Sequence, residues 1–276
     1  MEKPTKAVAS EARRLPAQLR HKHLITRAQQ RGFIHVTDIA SELGVSEMTI
    51  RRDLAELERG GALMRTRGGA VIDNAPQPVL DSEEPAFAAR LRKHEDEKRR
   101  IALAAAQLVD RRLSVALDVG TTTHLLAEAL ADRNGVKFFT SSLRTALLLG
   151  EAGREVYVPA GQVRGEEMSV CGPTARDEFE RYWFDICFIG VSGLTAGGIF
   201  DYSLEDSELK RVYLGRSSRK VLLCDSSKFR HMSLIKIAEL SDIDLLICDA
   251  PPPDDIAEAL AEADVAVQVA PLSPGA

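Results

Sequence analysis

Apolar positions along the chain change their period once. Over Ala17 to Arg31, Val36 to Leu43 and Ser46 to Arg59 they recur every three or four residues, which lines them along one face of a helix. Gly32, Gly44-Val45 and Gly60-Gly61 separate and end these three predicted helices. Ala62 to Val71 reads as a short hairpin. Beyond it, short β-branched apolar runs (Ser114–Asp118, Val136–Thr140, Glu155–Val158, Ile186–Val191, Lys220–Cys224, Asp244–Cys248 and Val265–Val269) are interspersed with helical patterns at Glu95–Val109, Thr123–Ala131, Pro173–Arg181 and Leu204–Leu214. Strands alternating with helices predict a mostly parallel, doubly wound α/β sheet, because joining parallel strands takes a crossover long enough to hold a helix. The expected layout is a disordered tail over 1–16, a mostly α module over 17–72, a linker over 73–92 rich in Pro and Asn, and an α/β domain over 93–271.

Charge sharpens that division. Residues 1–72 carry 13 Lys+Arg against 8 Asp+Glu, and the remainder 23 against 33. A basic module on an acidic body fits a polyanionic partner for the first part only. The hydrophobic fraction of 45% suffices for a core without disulfides. Cys171, Cys187, Cys224 and Cys248 form no C-x-x-C pair and read as reduced packing residues. Neither a membrane-length apolar run nor the apolar core of a secretory signal is present, so the expected location is cytoplasmic, without a membrane partner. The six histidines show no metal spacing, and no cofactor or catalytic residue is expected.

Two segments carry chemistry. In Val36 to Ala55, Ala40 is small where two helices must cross, Gly44 suits a tight inter-helix turn, and Ser46 can cap the second helix. Ile50, Leu54 and Leu57 face inward, so Met48, Thr49 and Arg52 face outward, with Arg51 on the flank. That is how a recognition helix offers its first turns to base edges in a major groove. Thr37 and Ser46 join the predicted contacts, and Arg65 and Arg67 on the hairpin would form a wing against the backbone or minor groove. The second segment is Leu117-Asp-Val-Gly-Thr-Thr-Thr-His124, after a strand and opening a helix. Gly120 permits close backbone approach, and Thr121, Thr122 and Thr123 add hydroxyls to free helix N–H groups, a combination that holds phosphate. The same residues also serve a capped turn without ligand. Asp118 either accepts sugar hydroxyls at a strand end or caps that turn.

Val45-Ser-Glu-Met-Thr-Ile-Arg-Arg-Asp-Leu54, followed by Gly68-Gly-Ala70, resembles the signature of DeoR-family regulators, mostly repressors of sugar and polyol catabolism. The resemblance continues through Asp118 to Thr122, Thr140-Ser-Ser142, Gly161, Gly172, Ile189 to Gly193, Gly197-Gly198, Glu205 to Arg211 and Asp225 to Phe229. It implies an N-terminal winged helix-turn-helix and a C-terminal sensor similar to ribose-5-phosphate isomerase. It also implies a double-stranded operator, a phosphorylated sugar or polyol effector, and a homodimer or homotetramer. On this basis Ser141, Ser142, Gly161, Gly193, Lys210 and Lys228 join the effector candidates, although both lysines also suit a solvated surface. Ser141 departs from a frequent Asn, and Ala160-Gly161 from a frequent Gly-Gly. Phe200-Asp-Tyr202 and Asp249 to Pro253 are similar to the glycerol-3-phosphate repressor branch. The alternative is an isomerase with an appended DNA-binding module. Against it, Val191-Ser-Gly-Leu-Thr-Ala196 lacks the acids that related isomerases present there.

Overall fold

The structure is a computed structural model, and it describes residues 16–31, 33–59, 63–66, 68–71, 79–80 and 85–272. The chain divides into two compact units, Met1–Gln77 and Pro78–Ala276.

In the first unit, helices α1 (Ala17–Arg31), α2 (Val36–Glu42) and α3 (Glu47–Arg59) pack with a three-stranded antiparallel sheet. Its strands are Phe33–His35, Gly69–Val71 and Met64–Thr66, with Gly69–Val71 in the middle. The first of these, only three residues long, had no periodicity to announce it. The inward residues meet as expected of amphipathic helices: Leu24, Ala28, Ile39, Ala40, Ile50, Leu54 and Leu57 share one core with Ile34 and Ala70. Gly44, at φ +62°, makes the α2–α3 turn, where Val45 N–H donates to Ala40 O at 3.0 Å. Gly69 is held by space, since a Cβ there would lie 2.0 Å from Ile34 O.

In the second unit, seven parallel strands form one sheet. In spatial order they are Ala266–Val269, Leu245–Cys248, Ser217–Cys224, Phe184–Gly190, Ser114–Leu117, Lys137–Thr140 and Glu155–Tyr157. Successive side chains go to opposite faces, so Val115, Leu117, Phe138, Phe188 and Ile247 feed one core and Ala116, Phe139, Cys187, Ile189 and Cys248 the other. Helices α4 (Phe87–Arg92), α5 (Glu95–Ala106), α6 (Thr121–Leu130), α7 (Leu143–Glu151), α8 (Pro173–Phe179), α9 (Leu204–Gly215) and α10 (Asp254–Glu262) complete the unit. Residues of α5 and α6 cover the first face, and those of α8, α9 and α10 the second. Strand order reverses between Ser114–Leu117 and Phe184–Gly190, whose continuations run to opposite sides of the sheet. Ligands of such sheets bind outside the carboxyl ends of the strands at that switch point.

Three helices were not predicted. Phe87–Arg92 lies within the stretch expected to be a linker, and Phe87 is buried. Helices α7 and α10 follow strands whose helical partners the pattern left open. The four cysteines are free and buried. Among the described residues no helix is long and apolar enough to cross a membrane.

Candidate functional site

The α3 surface is built locally. Ser46 caps the helix, accepting Thr49 N–H at 3.2 Å, and the two hydroxyls lie 2.9 Å apart. Met48 is 69% exposed, and Thr37, Arg51, Arg52 and Arg65 are exposed as well. Arg51 meets Glu47 at 3.3 Å one turn earlier and Arg65 meets Glu58 at 3.7 Å, whereas Arg52 has no ion-pair partner among the described residues. Arg67 lies outside the described residues. Sequence reasoning passed over Asp53. Its buried carboxylate takes Arg20 Nε at 2.7 Å and Nη2 at 2.9 Å, with His21 Nε2 at 3.3 Å, and so pins α1 to α3. This bidentate geometry is the stronger kind of ion pair.

The second unit has a cleft at the switch point, enclosing about 860 Å³ with its open mouth included. Lys210 and Asp201 in its lining belong to a buried charge cluster that Asp118, itself outside the lining, completes. Lys210 Nζ lies 2.6 Å from Asp118 Oδ2, 2.6 Å from Asp201 Oδ2 and 2.6 Å from Gly190 O. Asp118 also accepts Gly190 N–H at 3.0 Å, tying the ends of the two central strands together. Burial alone would lower the Lys210 pKa, but the two carboxylates overcome it and raise it. Burial pushes Asp118 up to about 7 against the pull of Lys210, with Asp201 adding to the rise. Lys210 is therefore no solvated lysine. All three of its N–H donors already have acceptors, so it organises the cluster rather than offering a free contact.

One wall is the start of α6, where Gly120, Thr121 and Thr122 line the cleft. Thr123 does not line it. It is fully buried, with its hydroxyl donating to Asp118 O at 2.9 Å and Gly120 O at 3.0 Å, so it holds the turn. The lining also takes Arg90 from the stretch expected to be a linker, Lys93 and His94 just after it, Lys98 from α5, and Lys228. None of the first four was a candidate in the sequence. Arg90 pairs with buried Glu167. Lys98 is buried, and its Nζ donates to Arg90 O at 2.5 Å and Lys93 O at 2.8 Å. Burial draws its pKa down to about 8; Asp225 opposes this, and Lys228, Arg90 and Lys93 add to it.

Besides Asp118 and Thr123, four further candidates stand apart from the cleft lining. Ser141 is buried, with its N–H on the Tyr213 hydroxyl at 3.2 Å, and Ser142 caps α7 by accepting Thr145 N–H at 3.3 Å. Gly161 and Gly193 are close-approach glycines, where a Cβ would lie 2.6 Å from Cys171 O and 2.2 Å from His231 O. Their residue types answer to packing at these positions.

The DeoR C terminal sensor domain matches residues 93–250, and the DeoR-like helix-turn-helix domain matches residues 20–75. The chain belongs to the DeoR family. A putative aga operon transcriptional repressor of Escherichia coli O157:H7 is 34% identical over 250 residues, covering 90% of this chain and 92% of its own. The HTH-type transcriptional repressor GlcR of Bacillus subtilis is 33% identical, over 81% of this chain and 85% of its own. The glycerol-3-phosphate regulon repressor of Escherichia coli K12 is 25% identical, over 91% and 98%. A ribose 5-phosphate isomerase A from Methanocaldococcus jannaschii aligns over 49% of this chain and 55% of its own at 19% identity and a TM-score of 0.37. Overlap that partial decides nothing about topology, which rests on the strand order above.

Proposed function

We propose that this DeoR-family chain is a repressor of a sugar or polyol catabolic operon, released from DNA by a phosphorylated sugar or polyol. Residues 17–72 would bind the operator through Thr37, Ser46, Met48, Thr49, Arg51, Arg52 and the wing, and residues 93–271 would bind the effector. The observation that carries the sensing half is the make-up of the cleft. Free N–H groups and hydroxyls at the start of α6 line the cleft together with Lys93, Lys98 and Lys228, and carboxylates such as Asp201 share the lining. The first set suits a phosphate, and carboxylates suit the hydroxyls of a polyol chain. The relatives named above, the putative aga operon repressor and the glycerol-3-phosphate regulon repressor, support the same reading. Release follows by linkage: if operator and effector prefer different arrangements of the DNA-binding units, each weakens the other by the same factor. Recognition helices on one duplex must span half-sites about 34–36 Å apart or a multiple of it, which calls for a homodimer or homotetramer.

Turnover of a sugar phosphate is the second reading, favoured by an Asp118 that burial brings to about 7, where it can exchange a proton. Against it, Ser192 stands where an acid would be needed, and its hydroxyl is 3.1 Å from Phe200 O and 2.7 Å from Ser233 Oγ. The test is a thermal-shift screen against phosphorylated sugars and polyols, with each hit carried into an operator gel shift and an NMR assay for isomerised product. A ligand that raises Tm and frees the operator without being consumed is the expected result. Saturable isomerisation abolished by Asp118→Asn would replace the repressor-only reading.

A further inference from the structure

Of the cations lining the cleft, Lys98 alone is buried without a carboxylate bonded to it. Its ammonium carries three donors, and two of them hold the carbonyls of Arg90 and Lys93 at the end of α4. Those are carbonyls that a helix end leaves without an intrahelical partner, and a cation there also meets the negative end of the helix dipole. Lys98 belongs to the first turns of α5, so one side chain ties the end of one helix to the start of the next. Between the two helices His94 sits at φ +55°, a left-handed conformation that non-glycine residues adopt only when their surroundings impose it.

The other attachments of α4 are made elsewhere. Phe87 packs edge-on against His124 of α6, with ring centroids 5.6 Å apart, and Arg90 pairs with Glu167. Arg90 already holds a carboxylate; Lys98 has none bonded to it, so it gains most from a negative charge arriving in the cleft. An anion beside it would take the third N–H and add a bonded counter-charge to the unbonded one of Asp225, favouring the ammonium and strengthening its grip on the two carbonyls.

We propose that Lys98 is the positioning residue that makes the order of the α4–α5 elbow depend on occupancy of the cleft by a phosphate-bearing ligand. The inference rests on the reading of that cleft as a phosphate site. An empty cleft leaves α4 held by Phe87, Leu91 and Arg90 and by a cation with no carboxylate bonded to it. A filled one fastens its C-terminal end. Among the described residues α4 is the first helix of the second unit in chain order, so this is where ligand-dependent order would first meet the connection.

Hydrogen exchange by mass spectrometry tests this on the full chain, with inorganic phosphate and glycerol 3-phosphate as separate probes. The informative amides are Arg90 and Lys93, which bond back to Ala86 O and Ala89 O along α4, and Lys98, whose bond to His94 O opens α5 at the elbow. Both probes should raise Tm and slow exchange at these amides severalfold. Lys98→Met should abolish the slowing while leaving a weakened Tm response. Should the methionine variant not fold, Lys98→Gln keeps an amide donor without the charge, and it too should show no ligand-dependent slowing. Slowing in the glutamine variant equal to that of the natural chain would overturn the proposal. A Tm rise without slowing in the natural chain would also overturn it, and would leave the cleft reading intact. Failure of both probes to raise Tm would count against the cleft reading itself.

Discussion

The two ends of this regulator are assembled in opposite ways. The candidate DNA surface comes from one short stretch of chain, with Ser46, Met48, Thr49, Arg51 and Arg52 following one another on and before a single helix, mostly exposed. The cleft gathers α4, α5, the start of α6, the ends of two central strands, α9 and the segment around Lys228, and its charges are largely buried. Changing a side chain on the first surface should alter binding and spare the fold. In the cleft, recognition and stability draw on the same groups.

The sharpest way to break that contrast is Lys210→Met. It strands Asp118 and Asp201 in a buried site, and removing one partner of a buried ion pair typically costs about 3–5 kcal/mol. Denaturant unfolding should show the loss in the sensor unit, while operator affinity of the folded fraction stays unchanged. Stability near that of the natural chain would mean the cluster is not buried as described.

The threonines should split. Valine at both Thr121 and Thr122 should weaken phosphate-ligand binding by about 1.5–3 kcal/mol for each hydrogen bond lost, giving a protein that binds operator but is no longer released. Thr123→Val should instead cost stability, about 0.5–1.5 kcal/mol, because its hydroxyl serves two backbone carbonyls. Effector titration of gel shifts on the double variant, and melting of the single one, check the two halves. Normal release by the double variant would remove the start of α6 from the effector site.

On the DNA side, Arg52→Ala should weaken operator binding by about 1–3 kcal/mol with Tm unchanged, and Arg51→Ala by less, since Arg51 already shares its charge with Glu47. Fluorescence anisotropy against operator and scrambled duplex is the measurement, and a double variant that binds like the natural chain would refute the recognition-helix assignment.

The smallest effect concerns pH. Lys98 is held near 8 in the fold against 10.5 for the free side chain, chiefly by burial, with Asp225 opposing and Lys228, Arg90 and Lys93 reinforcing. Its charge therefore works against folding below about 8, and that penalty is relieved as pH rises from 8 towards 10.5. Anion binding runs the other way. The affinity for glycerol 3-phosphate should fall as pH rises through 8, by less than about tenfold. Calorimetric titrations at several pH values should show a slope that Lys98→Met removes.

The contrast also explains what could be read in advance. The family, the helix-turn-helix and the parallel sheet were legible because each rests on a local period or a contiguous motif. Thr121 and Thr122 were legible as cleft residues because they follow a strand end directly. Lys98 was not. It sits in Glu95-Asp-Glu-Lys-Arg-Arg100, which has the look of a solvated face, and only the packing of α4 over it makes it buried. Thr123 and Lys210 share the sequence character of surface or ligand groups; Thr123 turns back on Asp118 O and Gly120 O of its own turn, and Lys210 bonds Asp118 of a distant segment. Ser141, Ser142, Gly161 and Gly193 belong to matching segments, but tertiary packing places them in caps and close approaches off the cleft.

Arg52 and Asp53 are neighbours in the chain and face opposite ways, one exposed, the other clamping α1. A helix divided like this separates the address it reads from the anchorage that aims it. On the proposed reading of α3, substitutions at Met48, Thr49 and Arg52 would rewrite the preferred operator while Asp53, Arg20 and the apolar face keep the aim. Copies of such a regulator arising by duplication could therefore part company over their target genes through a handful of changes on one face, well before their folds diverge.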